Sequence, residues 1–235
     1  MAPENHPNRF LASLPKADFE LVRPHLNPIT LGSGAILFST GDTVERVYFP
    51  HSGIISLVID LASGETIEAA MIGRDSIVGA ASALDGQISL NKAIVQLSGA
   101  GSTLDVPHFR KLADQSASLR VTLIRHEQTL FAQAQQSVAC NAAHALEARL
   151  ARWLLRSRDL VNDDNLAFTQ EFLAQMLGVQ RPSVSVIANT LQKAGLIDYN
   201  RGHIKITNAG GLRDAACECY ETVKKNYDRL LNNSK

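Results

Sequence analysis

Residues 169–208 read TQEFLAQMLGVQRPSVSVIANTLQKAGLIDYNRGHIKITN, and the architecture of the chain follows from them. Thr169 is placed to cap a helix over Gln170–Leu177, since its hydroxyl can accept from a backbone N–H of the first turn. Phe172, Leu173, Met176 and Leu177 recur at helical spacing and give that helix an apolar face. Gly178 ends it, because glycine accepts the left-handed conformation that closes a helix. Arg181-Pro182 opens a second helix, with Pro182 where a missing N–H leaves nothing unpaired. Val184, Ile187, Ala188 and Leu191 form its inner face; Arg181, Ser183, Val186, Asn189 and Lys193 form its outer face; Gly195 closes it. Two strands, Leu196–Tyr199 and His203–Thr207, then flank Asn200-Arg201-Gly202, a hairpin with an arginine at its tip. Two helices joined by a glycine turn and followed by a hairpin make a winged helix-turn-helix. Small polar groups on the outer face suit a major groove about 12 Å wide, and Arg201 suits a phosphate.

Upstream of this segment the chain is helical. From Ser116 to Arg158 there is neither proline nor glycine, and strong helix formers dominate. One stripe of the first half carries Leu119, Leu123, Leu130 and Ala134, with His126 inside it; a second carries Val121, Ile124 and Phe131. Two apolar faces on one helix call for two packing partners, one within the chain and one in a second subunit. The stripe of Leu119, Leu123, His126, Leu130 and Ala134 is assigned to dimerisation. Asn141 reads as the N-cap of the next helix, Ala142 to about Leu160, which buries Leu146, Leu150, Trp153 and Leu154 and turns Arg149, Arg152 and Arg156 to the opposite side.

Further back, from Ile29 to Val106, short β-rich runs alternate with turn signals. The turns are Gly32-Ser33-Gly34, Gly41-Asp42, Ser52-Gly53, Ser63-Gly64, Gly73-Arg74, Asp85-Gly86 and Gly99-Ala100-Gly101. Their spacing of roughly ten residues is the rhythm of a β-sandwich or barrel. The runs between them include Val47–Phe49, Ile54–Ile59, Thr66–Ile72 and Ala93–Leu97. Short helices fit Asn8–Leu26 and Pro107–Ala113, and a last helix fits Leu212–Lys235, with Cys217, Tyr220, Val223, Tyr227, Leu230 and Leu231 on an apolar side. The expected fold class is therefore α+β, with a β-barrel sensor domain over residues 1–115. A dimerisation helix follows over 116–140, a winged helix-turn-helix over 141–213 and a helical tail over 214–235.

The net charge is zero, but it is unevenly distributed. Residues 1–141 hold 10 Lys/Arg against 13 Asp/Glu, whereas residues 165–213 hold 5 against 2. A local basic face is what phosphate contact needs. No apolar run approaches a membrane span and the first residues lack a signal-peptide pattern, so a cytoplasmic protein without a membrane partner is expected. The 3 cysteines, Cys140, Cys217 and Cys219, make no disulfide framework. Cys217-x-Cys219 has no second Cys/His pair at zinc spacing, so no metal site is expected. No Gly-rich phosphate loop, nucleophile elbow or His-Glu-x-x-His is present, and Asp60, Glu65, Glu68 and Asp75 read as a solvated face; no catalytic residue is assigned.

In these motifs the chain resembles the Crp/Fnr superfamily of bacterial transcription regulators over nearly its whole length. The resemblance rests on Thr169–Val179, Arg181–Ser185, Leu191–Ile197 and the Arg201–Ile204 hairpin, with Val47-Tyr48-Phe49-Pro50, Ser52-Gly53, Gly73-Arg74-Asp75 and Val78-Gly79 in the barrel. It implies a jelly-roll or cupin-like barrel of the cyclic nucleotide-binding type. It also implies a homodimer on a palindromic operator, with double-stranded DNA and RNA polymerase as partners and a small-molecule effector. Arg181 then corresponds to the arginine that reads a guanine through bidentate contact to O6/N7. Pro182 and Val186 stand at two further base-reading positions, where well-known members carry an acidic and a basic residue, so a different operator is expected. Asn189 lies on the same face, and Thr169, Gln170, Ser183 and His203 correspond to phosphate or groove-edge contacts.

The resemblance also bears on the effector. Members that bind a cyclic nucleotide carry a Gly-Glu pair and an arginine followed by Ser or Thr; here Gly79 is followed by Ala80, and Ser89-Leu90-Asn91-Lys92-Ala93 holds no arginine. Lys92 offers charge without the guanidinium fork. No cysteine precedes Cys140, against an N-terminal iron–sulfur cluster, and His51, His108 and His126 are weak haem-ligand candidates. The cofactor is thus unknown and cAMP is not expected. The competing reading is a ligand-binding module whose winged domain contacts protein, which the small polar outer face disfavours because protein hot spots prefer large anchors.

Overall fold

The computed structural model describes residues 3–84 and 88–232, so the Asp85-Gly86 turn signal lies outside the described residues. The fold is α+β, with an N-terminal β domain, a long helix and a C-terminal helix-turn-helix. The chain divides into two compact units. One holds the residues up to Leu57, Met71–Ala132 and those from Lys225; the other holds Val58–Ala70 and Gln133–Lys224.

The first unit begins with α1 (Arg9–Ser13) and α2 (Lys16–Val22). Asn8 is fully buried and caps α1: its Oδ1 accepts from Leu11 N–H at 3.0 Å, while its Nδ2 donates to the Pro50 and Ser76 carbonyls at 2.8 and 3.0 Å. One amide thus joins a helix start to two β-domain segments, and a buried polar group is acceptable only when satisfied in this way. The strands that follow are β1 (Asn27–Leu31), β2 (Ile36–Phe38), β3 (Arg46–Pro50), β4 (Ile54–Asp60) and β5 (Thr66–Ile72). After α3 (Ala80–Leu84) come β6 (Lys92–Leu97) and β7 (Gly99–Asp105). They form two sheets, ordered β1-β7-β3 and β2-β6-β4-β5.

Gly99-Ala100-Gly101, expected as a turn, lies inside β7, antiparallel to both β1 and β3. The glycines serve close backbone approach rather than chain reversal. A Cβ on Gly99 would stand 2.3 Å from the Ser52 carbonyl oxygen, and one on Gly101 would stand 2.9 Å from that of Phe49. After β7 come α4 (Val106–Gln115) and α5 (Ala117–Ala143).

Asn141 does not cap the next helix but stays inside α5, and the break falls at His144-Ala145 before α6 (Leu146–Val161). Cap preference lost here to the uninterrupted helix propensity of the flanking alanines. In the second unit α6 buries Leu150, Trp153 and Leu154 as expected, but Arg149 and Arg156 are buried as well. β8 (Asn165–Leu166) precedes α7 (Gln170–Leu177), α8 (Arg181–Lys193), β9 (Ile197–Asn200) and β10 (His203–Ile206), and the three strands pair in the order β8-β10-β9. The tail forms two helices, α9 (Ala209–Ala215) and α10 (Cys219–Asn232), not one. Its apolar residues Cys217, Tyr220, Val223, Tyr227, Leu230 and Leu231 are all buried.

Candidate nucleic-acid interface

The helix pair is fixed at both ends by local chemistry. Thr169 Oγ1 accepts from Phe172 N–H at 3.1 Å and caps α7. Gly178 closes it at φ 62°, ψ 44°, its N–H donating to the carbonyl end of the helix. From α6, Arg149 donates to the Leu177 carbonyl, satisfying another terminal acceptor of α7. Burial pulls the Arg149 pKa below its ordinary value. Trp153 packs against Phe168 and Phe172 at centroid distances of 4.6 and 5.7 Å, and its Nε1 donates to Glu68 at 2.9 Å. Glu68, read from the sequence as a solvated acid, therefore has a structural task between the β4–β5 hairpin and α6. The same hairpin reaches the α7–α8 turn, where Ile67 lies 3.4 Å from the position a Cβ on Gly178 would take.

On α8, Val184, Ala188 and Leu191 are buried and Ile187 is half-buried, whereas Arg181, Pro182, Ser183, Val186 and Asn189 are all exposed. Ser185 is half-buried and donates to Gln170 Oε1 at 2.6 Å, which ties the first turns of the two helices together. The wing turns at Arg201 and Gly202, both at positive φ (44° and 85°), the geometry of a type I′ hairpin. Arg201 and His203 are exposed there. The wing approaches the start of α7, since a Cβ on Gly202 would meet Thr169 Cγ2 at 3.4 Å. The start of α7 thus lies against both neighbours, Thr169 beside the wing turn and Gln170 beside Ser185 of α8. Arg181 and Pro182 also line a cleft of about 430 Å³ whose opposite wall is Gly64–Ile67.

The dimerisation stripe requires a correction. Leu119, Leu123 and His126 are buried within the chain, at 1%, 0% and 0% exposure, while Leu130 and Ala134 are half-buried. His126 is a satisfied core residue. Its Nε2 accepts from Ile77 N–H at 3.2 Å and lies 2.6 Å from Ser76 Oγ, and its Nδ1 lies 3.1 Å from Glu127 Oε1. Both of its ring nitrogens are engaged within the chain. The exposed stripe is the other one, Val121, Ile124 and Phe131, continued by Val138, at 45%, 50%, 64% and 71% exposure. Periodicity gave both stripes but could not say which faced the chain's own core. Among the remaining histidines, His51 Nε2 is 3.0 Å from Ser102 Oγ and His108 stacks on His25. Burial holds the pKa values of His6 and His51 below the ordinary 6.5, and for His51 the neighbouring His6 adds to this.

A second cluster escaped the sequence reading. Cys140, His144, Cys217 and Cys219 place their ligand atoms within 4.8 Å of one another. Cys140-x-x-x-His144 thus lies beside Cys217-x-Cys219 as a second Cys/His pair. The i,i+4 spacing at the end of α5 was the available signal, hidden because the two pairs lie more than seventy residues apart. Burial pushes the Cys140 thiol above its ordinary value and the Cys217 thiol up to about 12.

A β domain, a long helix carrying an exposed heptad stripe, and a winged helix-turn-helix define a class: a regulator that couples a sensor-type domain to a DNA-binding-type module. The family model of the cyclic nucleotide-binding domain matches residues 28–116, and that of the Crp-like helix-turn-helix domain matches residues 148–215. The chain is 23% identical over 184 residues to the global nitrogen regulator of Synechococcus elongatus, covering 74% of this chain and 83% of that protein. A Crp/Fnr-family transcriptional regulator of Eubacterium rectale, described as putative, superposes with a TM-score of 0.65 at 18% identity, covering 90% of this chain and 95% of that one. FixK2 of Bradyrhizobium japonicum gives 0.67 at 14% identity, over 82% and 98%. A Crp/Fnr-family regulator of Thermus thermophilus gives 0.67 at 20%, over 81% and 98%. The chain belongs to the Crp/Fnr superfamily of bacterial transcription regulators. Among the described residues no helix is long and apolar enough to cross a membrane.

Proposed function

We propose that the protein is a cytoplasmic, sequence-specific DNA-binding regulator that acts as a homodimer on a pseudo-palindromic operator. The observation that carries this reading is the division of α8 into a packed face and a bare one. Val184, Ala188 and Leu191 hold it in the domain, while Arg181, Pro182, Ser183, Val186 and Asn189 stand exposed and are mostly small. Such a face fits the major groove, with Arg181 donating to guanine O6/N7 and Val186 offering apolar contact to a thymine methyl. Arg201 at the wing tip and His203 beside it supply phosphate contacts, as do Thr169, Gln170 and Ser183 at the helix starts.

Dimerisation is supported by the exposed stripe on α5. Val121, Ile124, Phe131 and Val138 stand at one a and three d positions of a heptad whose other a positions are Gln128 and Gln135. Apolar d positions with polar residues at a are the pattern of a coiled-coil seam whose register is fixed by its polar sites. Two-fold pairing through this seam would present two recognition helices to half-sites about one helical turn apart. The effector of the β domain is not a cyclic nucleotide in this reading: Ala80 occupies the position of the ribose-binding acid and is buried, and no arginine replaces the phosphate anchor near Lys92. Contact with RNA polymerase rests on family membership alone. Protein recognition by the winged domain is the weaker reading, because the bare face of α8 holds no aromatic anchor.

Selection of genomic fragments by the purified protein at low salt tests the proposal. Enrichment of an inverted repeat whose binding weakens steeply with added salt is expected. Recovery of no common site, or binding indifferent to salt, would overturn it.

A further inference from the structure

We infer that Cys140, His144, Cys217 and Cys219 form a tetrahedral Cys3His site for a thiophilic divalent cation, zinc foremost, that ties the end of the long helix to the start of the last one. Cys140 lies in the final turn of α5 and His144 directly after it; Cys217 lies just before α10 and Cys219 is its first residue. Cys140 and Cys219 are fully buried and Cys217 nearly so.

Three observations point to a cation rather than to ordinary packing. The first is spacing. Tetrahedral zinc with Zn–S about 2.3 Å and Zn–N about 2.0 Å requires ligand atoms roughly 3.5–3.8 Å apart. Cys140 Sγ and Cys217 Sγ are 3.5 Å apart, as are Cys219 Sγ and His144 Nδ1, and all four atoms lie within 4.8 Å of one another. Small side-chain rotations therefore suffice to close the shell.

The second is the outer partner of the histidine. With Nδ1 turned toward the sulfurs, Nε2 lies 3.2 Å from Glu218 Oε1. A ligating imidazole ordinarily donates its other N–H to a carboxylate, which fixes the tautomer and raises ligand basicity. Glu218 sits between the two cysteines in sequence, so one short segment would supply two thiolates and the carboxylate that orients the histidine.

The third is charge. Three thiolates and a neutral imidazole around a divalent ion leave a net charge of −1, and the three thiol protons leave to solvent on binding. Arg149 and Arg152, one turn apart on α6, lie within electrostatic reach of Cys140, and Gln136 Nε2 donates to Cys219 Sγ at 3.0 Å. Arg149 is also the residue that holds the end of α7, so the site adjoins the support of the helix pair.

The test is a titration of the reduced, metal-stripped full chain with Co2+, followed by competition with Zn2+. One equivalent of cobalt should give the intense d–d bands of a tetrahedral ion and a sulfur-to-cobalt charge-transfer band, both erased by one equivalent of zinc. Cys219→Ser should abolish the charge-transfer band or cut its intensity. Glu218→Gln, which removes no ligand and leaves an exposed residue uncharged, should weaken zinc binding by about 10–100-fold. Weak octahedral cobalt spectra at one equivalent would overturn the site, as would zinc affinity unchanged in Glu218→Gln. A native Cys140–Cys217 disulfide, with no cobalt bound after reduction, would reassign the cluster to thiol chemistry.

Discussion

Replacing Phe131 by alanine separates the proposed dimer seam from the stability of the chain. A phenylalanine buries roughly 200 Å² when fully covered. With 64% of Phe131 exposed, about 130 Å² per protomer remains for a partner to cover. At about 25 cal/mol per Å² this is worth roughly 3 kcal/mol, of which alanine retains about a third through its own contacts, leaving about 2 kcal/mol per copy. A two-fold interface loses the contribution twice, about 4 kcal/mol, equivalent to a roughly thousand-fold weaker dimer. Sedimentation over a dilution series measures that shift. Leu119→Ala is the internal comparison: it empties a buried site, should lower chain stability by about 2–5 kcal/mol, and should leave the association constant of the folded protein nearly unchanged. Dimer affinity that is indifferent to Phe131 but lost with Leu119 would refute the assignment of the two stripes.

Arg201→Asn keeps a residue tolerant of positive φ at the wing tip while removing its charge, and should reduce the salt slope of DNA binding by about 1 per protomer; an unaltered slope in a salt titration would remove the wing from the phosphate contacts. Arg149→Ala should lower the stability of the second unit by about 2 kcal/mol through loss of the charged donor on the Leu177 carbonyl, read as an earlier thermal melt; an unchanged melt would mean that α7 does not depend on that contact. Burial holds the pKa values of His6 and His51 below 6.5, so on acidification they take up protons later in the fold than in the unfolded chain. The folded state then binds fewer protons than the unfolded one, and their contribution is fully present above 6.5 and lost as pH falls through the folded values. Melting temperature should therefore drop on acidification below that point and the drop should shrink in His51→Asn; an equal drop in the variant would locate the acid sensitivity elsewhere.

The helix pair and wing were legible because each boundary has a local chemical cause: Thr169 as cap, Gly178 as stop, Pro182 in the first turn, and Arg201-Gly202 in the hairpin. Strands β3 to β6 were legible for the same reason, since alternation and turn residues act within a few positions. The misreadings needed information from afar. Gly99 and Gly101 look like turn residues until the Ser52 and Phe49 carbonyls are seen against them. Arg149 looks solvated until the end of α7 is placed beside α6. The two stripes of α5 are equivalent in sequence, and only the core around Ser76 and Ile77 decides that His126 faces inward. Cys140 and His144 meet Cys217 and Cys219 only through the return of the chain after the wing.

Selection from random-sequence duplexes, run in parallel with the unaltered protein and Arg181→Ala, asks whether the bare face of α8 reads bases. The unaltered chain should yield a two-fold motif with one strongly preferred guanine in each half-site. The variant should lose preference at that position alone, at a cost of about 1–3 kcal/mol per half-site. Identical motifs and affinities from both proteins would contradict the assignment of α8 as the recognition helix.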